Sequence, residues 1–115
     1  MDERDVDLLD MLARHARVAI GYAEEMGPRW AEDPKTVDAI SKRIDQIGEL
    51  AKRVHAEALA SIEGVDWRGV KAFREILVHD YEDLDLGILS DVVTRKLPNL
   101  VEAVEQRLFV EGSGG

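Results

Sequence analysis

The 115-residue sequence contains no cysteine, only 5% aromatic residues, three prolines and no long uncharged run. The missing sulfur excludes disulfide frameworks, thiolate zinc sites, iron–sulfur clusters and a cysteine nucleophile. A span of about 20 apolar residues is needed to cross a bilayer, and none is present. The first residues, Met1 to Asp5, are acidic where a secretion signal would be basic. The expectation is therefore a soluble cytoplasmic protein with no membrane contact. Basic residues are also in short supply: 15 Lys and Arg against 24 Asp and Glu leave a net charge of −9. A field of that sign repels nucleic acid and anionic membranes at long range, so any RNA site must be locally basic.

What is present is helical periodicity. A chain of this length buries roughly 65% of its unfolded surface and can hold one core without staples. From Asp5 to about Met26, Leu8, Leu9, Leu12, Ala16, Ala19, Ile20 and Ala23 recur at three and four, and Gly27-Pro28 ends the pattern. Asp33-Pro34 reads as N-cap and first helical residue of a second helix. There Val37, Ile40, Ile44, Ile47, Ala51, Val54 and Ala58 form a seam of about 28 residues that wants a long antiparallel partner. Gly64 interrupts, Asp66 caps a third helix carrying Val70, Phe73, Ile76 and Leu77 to about Tyr81, and an acidic turn follows. Leu86 to Arg95 predicts a short helix and Leu97-Pro98 opens a last one. Residues 111–115 read as a flexible tail. The fold class is all-α, an up-and-down bundle of four to five helices.

One stretch gathers the residue types that chemistry needs. Arg68, Lys71 and Arg74 fall on a slowly rotating strip of the third helix, followed by His79 and Tyr81. On an ideal helix His79 lies about 140° from Arg74. The two share a site only if the long guanidinium stem bends across, or if a second copy presents its own pair across a two-fold interface. Such a set suits metal-free cleavage of an RNA backbone, because imidazole can move the 2′-hydroxyl proton and a guanidinium can bind the phosphorane charge. A capped helix end beside a solvated charged face is the bland alternative. His79, Asp80, Glu82, Asp83 and Asp85 match no metal loop and read as a solvated acidic turn. Glu49, beside the seam, needs a partner if buried, and Arg74 or Arg17 could supply one; a plain exposed Glu is the other reading. His15 and His55 read as surface or boundary residues, and Trp30 and Trp67 as packing residues.

The run Phe73-Arg74-Glu75-Ile76-Leu77-Val78-His79-Asp80-Tyr81 resembles the HEPN superfamily, in particular HepT-like toxins with Arg, four residues, His, one residue, Tyr. Upstream, Asp33 to Ile40 and Gln46-Ile47-Gly48-Glu49 look like that family's second helix with its Ile-Gly-Glu core, and Leu97-Pro98 like the opening of its last helix. The resemblance spans about Asp5 to Leu108, which makes residues 1–110 one HEPN-like domain. It implies a homodimer with the motifs facing a shared cleft, and a metal-independent ribonuclease toxin in which Arg74 and His79 are the active residues. It also implies a minimal nucleotidyltransferase antitoxin that transfers AMP to the motif tyrosine, Tyr81. Arg68, Lys71, Glu75, Asp80 and Glu49 are candidate supporting or RNA-contacting residues. Neither a metal nor an organic cofactor is expected. Many members have Asn after the motif Arg, and here Glu75 stands there, able to pair with Arg74 or to repel phosphate. The alternative function is a non-catalytic helical module that docks on such a nucleotidyltransferase.

Overall fold

The computed structural model describes residues 1–77 and 85–113; residues 78–84 and 114–115 lie outside the described residues. The expectations for His79, Asp80 and Tyr81 therefore fall outside it. Helix α1 covers Glu3–Met26. Asp2 caps it by accepting from the Asp5 N–H at 2.8 Å, and Gly27 ends it at φ 92°, a left-handed geometry that glycine adopts without strain. A 3₁₀ turn, Trp30–Glu32, buries Trp30 as a packing residue. Helix α2, Pro34–Arg53, starts as its Asp-Pro signature requires, the Asp33 carboxylate accepting from the Thr36 N–H at 3.0 Å.

The core forms where α1 packs against α2 and against the last helix. Leu9, Leu12, Ala16 and Ala19 of α1 face Ile40, Ile44, Ile47 and Ala51 of α2, all fully buried. Among the described residues there is no strand, and no helix is long and apolar enough to cross a membrane. The architecture is an all-α bundle.

The seam of α2 does not stay on one helix to Ala58. Helix α2 ends at Arg53, Val54 and His55 are extended, and a short α3 follows at Ala56–Ala60. The reason is tertiary: the His55 N–H and Nδ1 both bond to the buried Asp5 of α1, at 3.1 and 2.8 Å, drawing the chain out of the helix. Val54 and Ala58 remain buried, so the apolar pattern survives the break.

The third helix is also divided. Helix α4, Trp67–Lys71, is capped by Asp66, whose side chain accepts from Gly69 N–H; Ala72 leaves helical geometry at φ −91°, ψ 5°, and α5 covers only Phe73–Ile76. Pieces this short have no independent stability, and their packing on α2 fixes them. At the end of the described chain, Asp85 caps α6 (Leu86–Asp91), which runs through a π-helical stretch, Val92–Lys96, directly into α7 (Leu97–Ser113). The two helices expected here are thus continuous. Pro98 has no N–H to return to Thr94, and the wider turn absorbs that loss, with the Leu97 N–H donating to Val92 O five residues back. Glu111 to Ser113, expected as flexible tail, belong to α7.

Candidate active site

Gly48 positions the motif helix. A Cβ there would lie 3.1 Å from the Val70 carbonyl oxygen and 3.5 Å from Phe73 Cβ, so the backbone of α4 and α5 rests directly on α2. Phe73 and Val70 are buried at this contact, and Arg74, next in the chain, is held facing solvent. The Ile-Gly-Glu core is thereby explained for two of its three members: Ile47 fills the seam and Gly48 admits the motif helix. Glu49 does neither. It is half-buried and pairs with Lys52 of its own helix at 3.1 Å, and Arg17 is taken by Glu105 of α7, so the cross-helix pairing with Arg74 or Arg17 is not formed.

Arg68 and Arg74 are exposed and Lys71 is half-buried. Among the described residues none of the three has a carboxylate partner, and Glu75, also exposed, does not pair with Arg74. Three cations without a described carboxylate partner thus stand in a chain whose net charge is −9. Arg74 borders a shallow depression with Ser41, Lys42, Asp45 and Leu77. The divided helix also removes the premise of the 140° separation, because α5 ends at Ile76, before His79.

Asp45 was not singled out by sequence. Its Oδ1 atom is inaccessible to solvent and has no hydrogen-bond partner among the described residues. The carboxylate beside the seam that needs a partner is therefore Asp45, one turn before Glu49 and between Ile44 and Ile47.

A second polar cluster lies at the start of α1. Asp5, 2% exposed, accepts from the His55 N–H and Nδ1, and Asp2 lies 3.5 Å from the same ring. Burial pushes the Asp5 carboxyl up, and the His55 hydrogen bonds more than offset this, leaving it below the usual range. The hydrogen bond that His55 donates to Asp5, reinforced by the carboxylate charge, raises the His55 imidazole above 6.5. Asp2, Asp5 and His55 bring three potential ligand atoms within 4.8 Å of one another, but Arg107 borders the same depression and the carboxylate already serves His55. The arrangement ties the α2–α3 break to α1. His15, on α1, meets Arg43 at 3.0 Å, and burial followed by that positive charge lowers its pKa.

A match to the ribonuclease HepT-like family covers residues 9–107. The chain belongs to the HepT-like ribonuclease family. Its class is accordingly that of a HEPN-type ribonuclease. A protein of Methanocaldococcus jannaschii named "putative RNase" is 29% identical over 109 residues, covering 92% of this chain and 89% of that protein. A second protein of the same organism, named "gamma-glutamylcyclotransferase and putative RNase", is 33% identical over 67 residues, 58% of this chain and 30% of its own length. A similarly named RNase of Caldanaerobacter subterraneus subsp. tengcongensis is 24% identical over 82 residues, covering 71% and 73%. No solved structure matches the chain. Within this HepT-like ribonuclease, Arg74 is the motif residue whose environment is described.

Proposed function

We propose that this chain is the toxin of a toxin–antitoxin pair, a metal-independent endoribonuclease. Its site is a composite cleft between two copies, with Arg74 and His79 as the active residues. The observation that carries the reading is Arg74: the motif guanidinium stands in solvent on a helix seated by Gly48, without a carboxylate partner among the described residues. A guanidinium so presented can bind phosphate through two N–H groups. In the reaction, His79 takes the proton of a ribose 2′-hydroxyl as its oxygen attacks phosphorus. The 5′-oxygen leaves with a proton given by the imidazolium of the second copy's His79, giving a cyclic phosphate and a free 5′-hydroxyl, and Arg74 stabilises the charge of the phosphorane. Arg68 and Lys71 are further candidates for contact with RNA phosphates, and Glu75 and Asp80 are supporting candidates in the same stretch of sequence.

The partner is a minimal nucleotidyltransferase antitoxin that transfers AMP from ATP to Tyr81, placing a bulky anion two residues from His79. Residues 1–110 act as the single functional domain, in the cytoplasm. The deciding experiment is RNA cleavage by the purified protein in chelator, beside His79→Ala with intact mass recorded for both. Cleavage that survives chelation and is lost in the variant is the expected result. A net charge of −9 and the carboxylate at Glu75 favour a second reading, a non-catalytic module docked on the nucleotidyltransferase. Absence of cleavage by protein of unmodified mass would select it.

A further inference from the structure

Asp45 has no role in the chemistry above, yet its placement is costly. Buried polar atoms in folded proteins are nearly always hydrogen-bonded, and an orphaned acceptor loses its hydration without compensation. Asp45 Oδ1 is such an atom, and Asp45 borders the same depression as Arg74. The other donors there are Ser41 and Lys42, four and three residues earlier on α2. Lys42 is exposed, and its ammonium is compact and strongly hydrated, poorly suited to serving a dry acceptor. A guanidinium is more weakly hydrated, reaches on a long stem, and presents two donor edges in one plane.

We propose that Asp45 is a positioning residue: the Arg74 guanidinium, unpaired among the described residues, turns in to donate one edge to the buried Asp45 oxygen and leaves the other edge open to an RNA phosphate. The inference rests on the ribonuclease reading for its consequence, but not for the contact itself. Held this way, the guanidinium loses its rotamer freedom before the substrate arrives, so the effect falls on turnover rather than on RNA affinity. Lys42 stays free to meet a neighbouring phosphate.

Two measurements on the full chain test this separately. The first is the Arg74 Nε–H resonance, identified by its loss in Arg74→Lys. It is expected to exchange slowly with water in the wild type and at least several-fold faster in Asp45→Asn; an unchanged rate overturns the proposal whatever the protein does to RNA. The second is steady-state cleavage of a single-stranded RNA. Asp45→Asn is expected to lower kcat about tenfold with KM nearly unchanged, as for one lost transition-state contact. In the Arg74→Lys background the same substitution should cost less than about twofold, the non-additivity of residues acting as a unit. Equal losses in both backgrounds would make Asp45 merely structural. If the wild type does not cleave RNA, the ribonuclease reading fails, and the exchange rate still decides whether Asp45 holds Arg74.

Discussion

Gly48 of α2 touches the Val70 carbonyl of α4 so closely that a methyl group placed there would lie 3.1 Å from the oxygen. Gly21 on the exposed side of α1 has nothing within 4 Å of the same position. Both glycines lie inside helices, so the identical change should act in opposite directions. Gly21→Ala is expected to stabilise by about 0.5–1 kcal/mol through propensity. Gly48→Ala should lose that gain and destabilise by about 1 kcal/mol, as overpacking does, while displacing the motif helix and lowering cleavage. Urea denaturation with a cleavage assay checks both; stabilisation by Gly48→Ala would remove glycine's assigned role.

Arg74 is exposed and makes no ion pair with another described residue in this structure. Arg74→Ala should therefore cost no more than the single proposed contact with Asp45, a drop of at most a few degrees in the thermal midpoint, while cleavage falls about 10²–10³-fold, the usual loss for one charge-stabilising donor. A midpoint drop matching the loss of activity would make the residue structural.

Tyr81 is the proposed AMP acceptor. Incubation with the nucleotidyltransferase and ATP should add the mass of one AMP or a small multiple and abolish cleavage, and Tyr81→Phe should block the addition. Modification retained in that variant would place the acceptor elsewhere.

A composite cleft requires two copies. Light scattering at the concentration used for cleavage should give roughly twice the chain mass of 12.9 kDa. A cleaving monomer would end the two-subunit scheme.

Two histidines set the pH profile of stability on either side of 6.5. The His55 pKa is raised by the hydrogen bond it donates to Asp5 and then by the carboxylate charge, so its contribution is full below 6.5 and declines as pH rises through the higher folded value. His15 is lowered by burial and then by Arg43, so its neutral form is preferred, and its contribution declines as pH falls below 6.5. Thermal midpoints should peak near pH 6.5 from these two groups. His55→Gln should flatten the alkaline side and His15→Gln the acidic side; a profile unchanged in both would refute the assignment.

Helix periodicity and caps were legible because they are local. Asp33-Pro34, Asp66 and Gly27 act within one turn, and the residues at three and four report which face meets a core. The fragment Ile47-Gly48-Glu49 shows where that legibility stopped. Its isoleucine and glycine have roles that packing explains, but its glutamate pairs along its own helix, and among the described residues the buried carboxylate oxygen without a partner is Asp45 Oδ1. Spacing places both acids beside the seam, and only the approach of α5 distinguishes them.

The sequence by itself determined an all-α chain, its apolar seams, and an Arg-x4-His-x-Tyr motif whose order and spacing match one ribonuclease family. Tertiary structure decided where the helices break. Asp5 draws His55 out of α2, and α2 holds the motif segment as two short pieces. It also decided that Arg74 shares a depression with a buried, unsatisfied carboxylate oxygen. Periodicity reports how much surface each segment must bury, whereas breaks and shared sites depend on contacts between residues tens of positions apart, which no local pattern encodes.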